Sequence, residues 1–416
     1  MIKVCDAIMG TGKSSAAINY INDNPDEKFI YITPYLEEAK RIKNGCPKLK
    51  FVEPNNFDKE SNHKKSEHTA KLIKQGRNIT TTHQCFMRYT EDMLNDIKKY
   101  GYRLIIDENI DIIATYELHP DDAQVALDAG LIKENGDYYE LANKNYHGTM
   151  FRELCQFLKT RQLIRMEDEK YGNLYYWIMP PDLLTSFKEV IVLTYLFKGQ
   201  TIHHFLHIYN IPYEYIGIAK TERGYVFSDY PGYTPDYVYK IKDMVKIIDN
   251  PKLNAIGDGY FALSMNWFDK NEEGLSRLKK NVYNIVNNIW SGIDSKEKLI
   301  GTYKDAVDKL KGKGYTKSFL NFNTKATNAY RKRKYLIYAT NIFMNVREKT
   351  FYEKNGISVD EEQYSLSIMV QWIWRSAIRD GDTIQLYIPS KRMRTILTDW
   401  MNDLEKGGNK TYEENM

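Results

Sequence analysis

The sequence predicts an α/β fold built on parallel sheets, and three observations carry that expectation. Short apolar runs alternate with polar helical stretches over the first 110 residues, and strand–helix alternation of this kind implies right-handed crossovers and parallel pairing. A Gly-Thr-Gly-Lys-Ser segment, Gly10–Ser14, sits where the first apolar run gives way to the first helical stretch. At 416 residues the chain is too long for one simple core and should divide into two or three packed units.

The elements follow in order. Ile2–Ala7, Phe29–Thr33, Asn78–Thr81 and Arg103–Ile106 read as strands, and Ser14–Asn22, Leu36–Asn44 and Glu67–Lys74 as helices. Val190–Thr194 is a further β-branched strand. Between Ile106 and Val190 the alternation breaks. Asp121–Ala129 and Met150–Thr160 look helical, and Asn135-Gly136 and Tyr171-Gly172-Asn173 sit between strand-like flanks as hairpin turns. This stretch reads as an insertion. Beyond it come strands at Tyr213–Ile218, Val245–Ile248, Lys298–Gly301, Ser318–Asn321 and Thr383–Ile388. Helices are expected at Glu273–Trp290, Lys304–Lys311, Leu366–Ile378 and Arg392–Leu404.

Composition narrows the class. Hydrophobic residues make up 42% of the chain, which excludes wholesale disorder. No run of about 18 apolar residues offers a transmembrane helix, and the first residues enter a strand at once, leaving no room for a signal peptide. Four scattered cysteines (Cys5, Cys46, Cys85, Cys155) argue against a disulfide framework, a zinc ribbon or an iron–sulfur cluster. A protein of the cytoplasm is expected, with no membrane partner.

The net charge of +4 conceals a polarised chain. Residues 101–150 are strongly acidic. Residues 311–350 carry Lys311, Lys313, Lys317, Lys325, Arg331, Lys332, Arg333, Lys334, Arg347 and Lys349 against the single acid Glu348. Tyr315, Phe319, Phe322, Tyr330 and Tyr335 are interleaved with them. Cations for phosphates and rings for bases suit a nucleic-acid strand; a solvated basic surface is the alternative.

Ala7-Ile8-Met9-Gly10-Thr11-Gly12-Lys13-Ser14-Ser15 has the composition and setting of a phosphate-cradling loop. Gly10 and Gly12 let backbone N–H groups of residues 9–15 turn toward a β-phosphate at a helix N-terminus. Lys13 would reach the β/γ-phosphates, and the Ser14 hydroxyl would bind Mg²⁺. The acidic partner is supplied by Leu104-Ile105-Ile106-Asp107-Glu108. Asp107 would hold Mg²⁺, and Glu108 would orient or deprotonate the attacking water. ATP hydrolysis with ATP and Mg²⁺ bound is the chemistry these residues predict.

Alanine in place of the first loop glycine, together with Asp-Glu at the acidic site, resembles superfamily 2 helicases. Thr33-Pro34 after the second strand and Thr82-His83 after the third resemble that family's nucleic-acid backbone contacts. Val192-Leu193-Thr194 resembles the segment coupling hydrolysis to strand movement, with Thr194 alone carried over. Gln371-Trp372-Ile373-Trp374-Arg375-Ser376-Ala377-Ile378-Arg379 is similar to the last family motif. Gln371, Arg375 and Arg379 are spaced by four, so one helix would present all three on one face. The guanidinium groups of the two arginines would neutralise transition-state charge. Asn323–Tyr330, with Lys325, Thr327 and Asn328, resembles a second-domain nucleic-acid contact. The combination looks closest to phage-encoded DEAD/DEAH-like helicases distantly similar to herpesvirus origin-binding proteins.

That resemblance implies two RecA-like P-loop NTPase domains. These are residues 1–200 with an insertion at about 115–187, and residues 201–404 with a helical segment at about 225–295; residues 405–416 form a frayed tail. It implies an ATP-dependent DNA helicase or translocase serving phage replication or recombination in the host cytoplasm, acting on single-stranded or forked DNA. RNA and replication proteins remain open as partners. The alternatives are a P-loop kinase of a nucleoside or other small molecule, an ATPase that translocates without unwinding, and a nucleic-acid binder with a vestigial site. The His203, His204 and His207 cluster reads as buried or helix-surface histidines rather than a metal site, and Tyr175-Tyr176-Trp177 as packing of the insertion.

Overall fold

The computed structural model describes residues 1–34, 36–58, 64–160, 162–169, 172–321 and 328–407. It divides into two compact units. One comprises Met1–Ala7, Gly12–Tyr233 and Asn345–Val359, the other Ile8–Thr11, Thr234–Met344 and Asp360–Met416. The division therefore falls after Tyr233 rather than at residue 200.

The first unit is organised by a seven-stranded sheet. Its strands are β1 (Ile2–Asp6), β2 (Phe29–Thr33), β3 (Ile79–Thr82), β4 (Arg103–Asp107), β10 (Glu189–Thr194), β11 (Tyr213–Thr221) and β12 (Gly224–Asp229). Their spatial order is β12-β11-β1-β10-β4-β2-β3, parallel except for β12, which returns antiparallel along β11. β2 is buried at every position, and β4 and β10 at all but the first residue. Near-continuous apolar runs of this kind are what a parallel sheet covered on both faces requires. The helix Lys13–Asn22 packs Ala16, Ala17 and Ile21 against this sheet. At the N-terminal ends of the strands an ion-pair cluster ties β1, β4 and β10. Arg103 meets Glu27 at 3.0 Å and Glu189 at 2.9 Å, and Lys3 meets Glu189 at 2.8 Å.

The insertion folds as a separate five-stranded antiparallel sheet. It contains β5 (Ile113–Thr115), β6 (Ile132–Asn135), β7 (Tyr138–Leu141), β8 (Gln162–Asp168) and β9 (Gly172–Ile178), in the order β5-β9-β8-β7-β6. Tyr175 and Tyr176 are buried in it, and Tyr176 Oη donates to Arg347 O at 2.8 Å, so these rings are packing.

The second unit holds a four-stranded parallel sheet, β13-β16-β15-β14, of β13 (Val245–Ile247), β14 (Lys298–Gly301), β15 (Tyr335–Tyr338) and β16 (Ile384–Tyr387). The α/β architecture with parallel sheets is thus the predicted one, with differences in detail. The stretch 225–295 is not uniformly helical: it opens with β12 and includes β13, and its main helix, Glu272–Asn284, continues into a π turn at Ile285–Ile289. The expected strand Ser318–Asn321 is only an isolated bridge between Ile300 and Phe319. The expected helix Lys304–Lys311 is a 3₁₀ turn followed by a single turn, Val307–Leu310.

One difference alters the candidate site. The helix expected over Leu366–Ile378 runs instead from Glu361 to Ile373, started by Asp360, whose side chain accepts from Gln363 N at 2.8 Å. Just past its end the Ser376 hydroxyl donates to the Ile373 carbonyl at 2.6 Å. A 3₁₀ turn, Ala377–Asp380, follows and closes on Gly381.

Candidate nucleotide site

Strand register gathers the predicted residues of the first unit. Asp6 of β1 pairs with Thr194 of β10, Leu193 of β10 with Asp107 of β4, Ile106 of β4 with Ile32 of β2, and Thr33 of β2 with Thr82 of β3. The C-terminal ends of five adjacent parallel strands therefore form one edge, where open α/β sheets bind their ligands. Ala7 N donates to Thr194 O at 3.1 Å, fastening the start of the loop to this edge.

Gly12 is the N-cap of the helix Lys13–Asn22, with φ 95° and no side-chain cap. The first-turn N–H groups are thus left for an anion. Gly10 also has positive φ, 86°, so the two glycines supply the turns that residues with a β-carbon resist. The Lys13 ammonium donates to the Ala7 carbonyl, folded back along its own loop, and burial lowers its pKa. Thr11 Oγ1 donates to Ile8 O at 2.8 Å. Ser14 and Ser15 are half-buried, Ser15 Oγ accepting from Arg41 at 3.3 Å. Met9 is half-buried beside them.

Asp107 ends β4 and is buried. Its Oδ2 accepts from Tyr31 Oη at 2.9 Å, and its backbone carbonyl lies 2.9 Å from His83 Nε2. Burial, followed by the neighbouring Glu108 charge, pushes the Asp107 carboxyl up to about 7, while the Tyr31 hydrogen bond acts the other way. Glu108 sits at φ 65° with its N–H on Leu193 O at 3.0 Å. A non-glycine residue in the left-handed region just past a strand end marks local strain of the kind found at functional sites. Thr194 is buried; its hydroxyl donates to Gln200 Oε1 at 2.6 Å, and Gln200 Nε2 returns to Tyr195 O at 2.8 Å.

The residues expected to touch nucleic acid fare differently. Thr33 is wholly buried in the sheet, so its side chain is not a backbone contact here. His83 is buried against the Asp107 carbonyl and serves the acidic strand end instead. Thr82 caps the short helix His83–Phe86 by accepting from Cys85 N at 3.4 Å, and Pro34 is half-buried beyond β2. Lys325 and Thr327 lie outside the described residues. Asn328 opens the 3₁₀ turn Asn328–Tyr330.

In the second unit Gln371, Arg375 and Arg379 do not share a helical face. Gln371 lies in the last helical turn and is half-buried. Arg375 lies beyond the helix end and is buried, while Arg379 is exposed on the 3₁₀ turn. The basic block is also less available than its composition implies. Arg331 pairs with Asp380, Lys334 with Asp382 at 3.0 Å and Lys311 with Asp308 at 2.6 Å, while the Arg333 guanidinium binds the Ser295 carbonyl at 2.6 Å. In the first unit Arg347 pairs with Glu117 at 3.1 Å. Tyr315 is buried and donates to Leu310 O at 3.1 Å, and Tyr335 packs on Trp290, so neither ring is a stacking platform.

Sequence reasoning missed the supports: Tyr31, Gln200 and the His83–Asp107 contact. Tyr31 and His83 act between strands, where no local motif signals them, whereas Gln200 bonds Thr194 and Tyr195 within its own stretch of chain. Of the three clustered histidines His204 is buried, His203 half-buried and His207 exposed, with the His203 and His207 ring centroids 4.4 Å apart; burial pushes His203 down to about 3.

A family model described as "YonV C-terminal Rossmann-like domain" matches residues 239–401, the stretch that contains β13–β16. The chain is 36% identical over 413 residues to the SPbeta prophage-derived protein YonV of Bacillus subtilis (strain 168), covering 97% of this chain and 99% of that one. Among solved structures it is similar to S. tokodaii Xpd4, at 13% identity with a TM-score of 0.43 over 96% of this chain and 93% of that one. A DEAD box protein from Methanococcus jannaschii follows at 11% identity and a TM-score of 0.26, over 97% and 86%.

Proposed function

The chain belongs to the YonV family, and from that premise we propose that it is an ATP hydrolase of the nucleic-acid-dependent helicase or translocase type, acting on DNA. The observation that carries the reading is the shared edge. Strand register brings Asp6, Thr194 and Asp107 to one sheet edge, and Lys13 lies close enough to Asp107 and Glu108 for their charges to act on it. Backbone N–H groups at the start of the helix Lys13–Asn22, with Lys13, would bind the β- and γ-phosphates. This needs Lys13 to leave the Ala7 carbonyl, exchanging one oxygen acceptor for a charged one.

The residues fit Mg²⁺. No group of three or more His, Cys, Asp or Glu side chains among the described residues could cage a metal. Mg²⁺ instead accepts one or two side-chain oxygens together with substrate phosphates, and Ser14 and Asp107 offer such oxygens. Bound there, Mg²⁺ would neutralise phosphate charge. Tyr31 would keep the Asp107 carboxylate oriented, and Glu108 would accept the proton of the attacking water. Thr194, tied to Gln200, would relay a change at this edge into the helix Thr201–Ile208. Arg375 would supply a cation to the transition state.

The test is phosphate release with ATP and Mg²⁺, in the presence and absence of single-stranded DNA. Turnover that rises with DNA and disappears in Lys13→Ala is expected. Normal turnover in Lys13→Ala sinks the site assignment. The pairing of so many cations in the basic block leaves a small-molecule phosphotransferase as the second reading, and lack of DNA stimulation across salt conditions would favour it.

A further inference from the structure

The edge hairpin β11–β12 lays an aromatic ring against the phosphate loop. Asn19, on the helix that the loop opens, donates through Nδ2 to Tyr225 O at 2.9 Å and to Arg223 O at 3.4 Å, pinning the hairpin turn to that helix. Gly224 turns the chain at φ 100°, and Tyr225 follows it. The Tyr225 ring lies so near Gly12 that a β-carbon on residue 12 would fall within 2.7 Å of Cγ, Cδ1 and Cδ2. Tyr225 packs against the cluster containing Ala16 and Ala17 yet stays only half-buried, so part of the ring remains open to a ligand.

We propose that Tyr225 positions the base of the nucleotide whose phosphates the loop holds. This rests on the phosphate-loop reading above and deepens it. Gly10, Thr11 and Gly12 offer no side chain to recognise a base, only a turn and an internally bonded hydroxyl. On one side of β1 the sheet edge is filled by β10 and β4, with Thr194 and Asp107. A nucleoside leaving the phosphates on the other side, over β11 and β12, would meet the Tyr225 ring beside Gly12. A ring face held by a rigid hairpin stacks on a base at little entropic cost, and purines gain more from it than pyrimidines because their faces are larger. Asn19 is a positioning residue that acts through the hairpin.

The experiment is calorimetric binding of ATP, CTP and inorganic tripolyphosphate to the full chain. It compares the unaltered protein with Tyr225→Ala, Tyr225→Phe and Lys13→Ala. Tyr225→Ala should weaken ATP binding by about 5- to 100-fold and erase the preference for ATP over CTP, and Tyr225→Phe should restore both. Tripolyphosphate, which has no base, should lose no more than about twofold. A parallel loss of ATP and tripolyphosphate would make Tyr225 a prop for the loop and overturn the proposal. Unchanged or tighter ATP binding by Tyr225→Ala would overturn it as well. Should the unaltered chain bind none of the three, or Lys13→Ala bind all as well as it does, the phosphate-loop reading itself fails, which is a distinct outcome.

Discussion

Replacing Gly12 by alanine tests how the loop and the hairpin are built together. Two penalties are expected in Gly12→Ala. A β-carbon at φ 95° costs about 1–2 kcal/mol of backbone strain. Its overlap with the Tyr225 ring adds about 1–3 kcal/mol, because the ring is wedged between hairpin and helix and cannot withdraw freely. Together they amount to about 2–5 kcal/mol, which lowers the melting temperature of the first unit by about 5–15 °C. Tyr225→Ala alone should cost about 1–2 kcal/mol for a half-buried ring. In the double variant the overlap vanishes while the backbone strain stays. The loss should then fall short of the sum of the single losses by about 1–3 kcal/mol. Scanning calorimetry of the four proteins, with urea unfolding as a second measure, supplies the cycle. Additivity within about 0.5 kcal/mol would refute the claim that the Tyr225 ring and Gly12 are in steric contact.

Three further outcomes are expected. Arg375→Ala should leave ATP affinity within about threefold while turnover falls by about 10³-fold; equal losses in both would remove Arg375 from the transition state. Buried Arg392 binds Asn341 Oδ1 at 3.0 Å, Ile342 O at 2.7 Å, Ser365 Oγ at 3.1 Å and Glu361 O at 3.3 Å. Arg392→Met takes the donor from Asn341 Oδ1, while the Ser365 hydroxyl still reaches the Ile342 and Glu361 carbonyls; it should destabilise the second unit by about 2 kcal/mol in urea unfolding, and a loss below about 1 kcal/mol would show that the network contributes little. Burial, with Asp111 nearby, pushes the Glu348 carboxyl up to about 7. Between its unfolded value of about 4.3 and 7 the folded chain keeps a proton that the unfolded chain releases, so stability declines as pH rises through this window. Glu348→Gln should flatten that decline, by at most about 3 kcal/mol at pH 8, and an unchanged pH profile would refute it.

The parts of the fold written in the sequence are those set by local chemistry. β1, β2, β4 and β10 could be placed because each is a short β-branched run, and the loop because its glycines and Lys13 stand at a strand–helix junction. Register then aligned residues that sequence order had only strung out, from Asp6 to Thr194. β12 escaped notice because an edge hairpin partly exposed on both faces lacks a clear alternation; its pattern is half-buried throughout its first five residues. Tyr31 could be seen as a strand residue but not as the donor to Asp107, since that bond joins neighbouring strands 76 positions apart in the chain.

Two expectations depended on neighbours that spacing and counting leave out. Spacing by four put Gln371, Arg375 and Arg379 on one face only if the helix continued, and it ends at Ile373, before both arginines. The count of cations between residues 311 and 350 measured attraction for phosphate only if those charges lacked partners. Asp380 and Asp382, which take up Arg331 and Lys334, lie outside the block and enter the count nowhere. Charge matters to a polyanion after internal pairing is subtracted, because each engaged cation must first give up its carboxylate or carbonyl. Among the described residues of this block Lys313, Lys317 and Lys332 are exposed, and salt-dependent nucleic-acid binding by the second unit would draw on them.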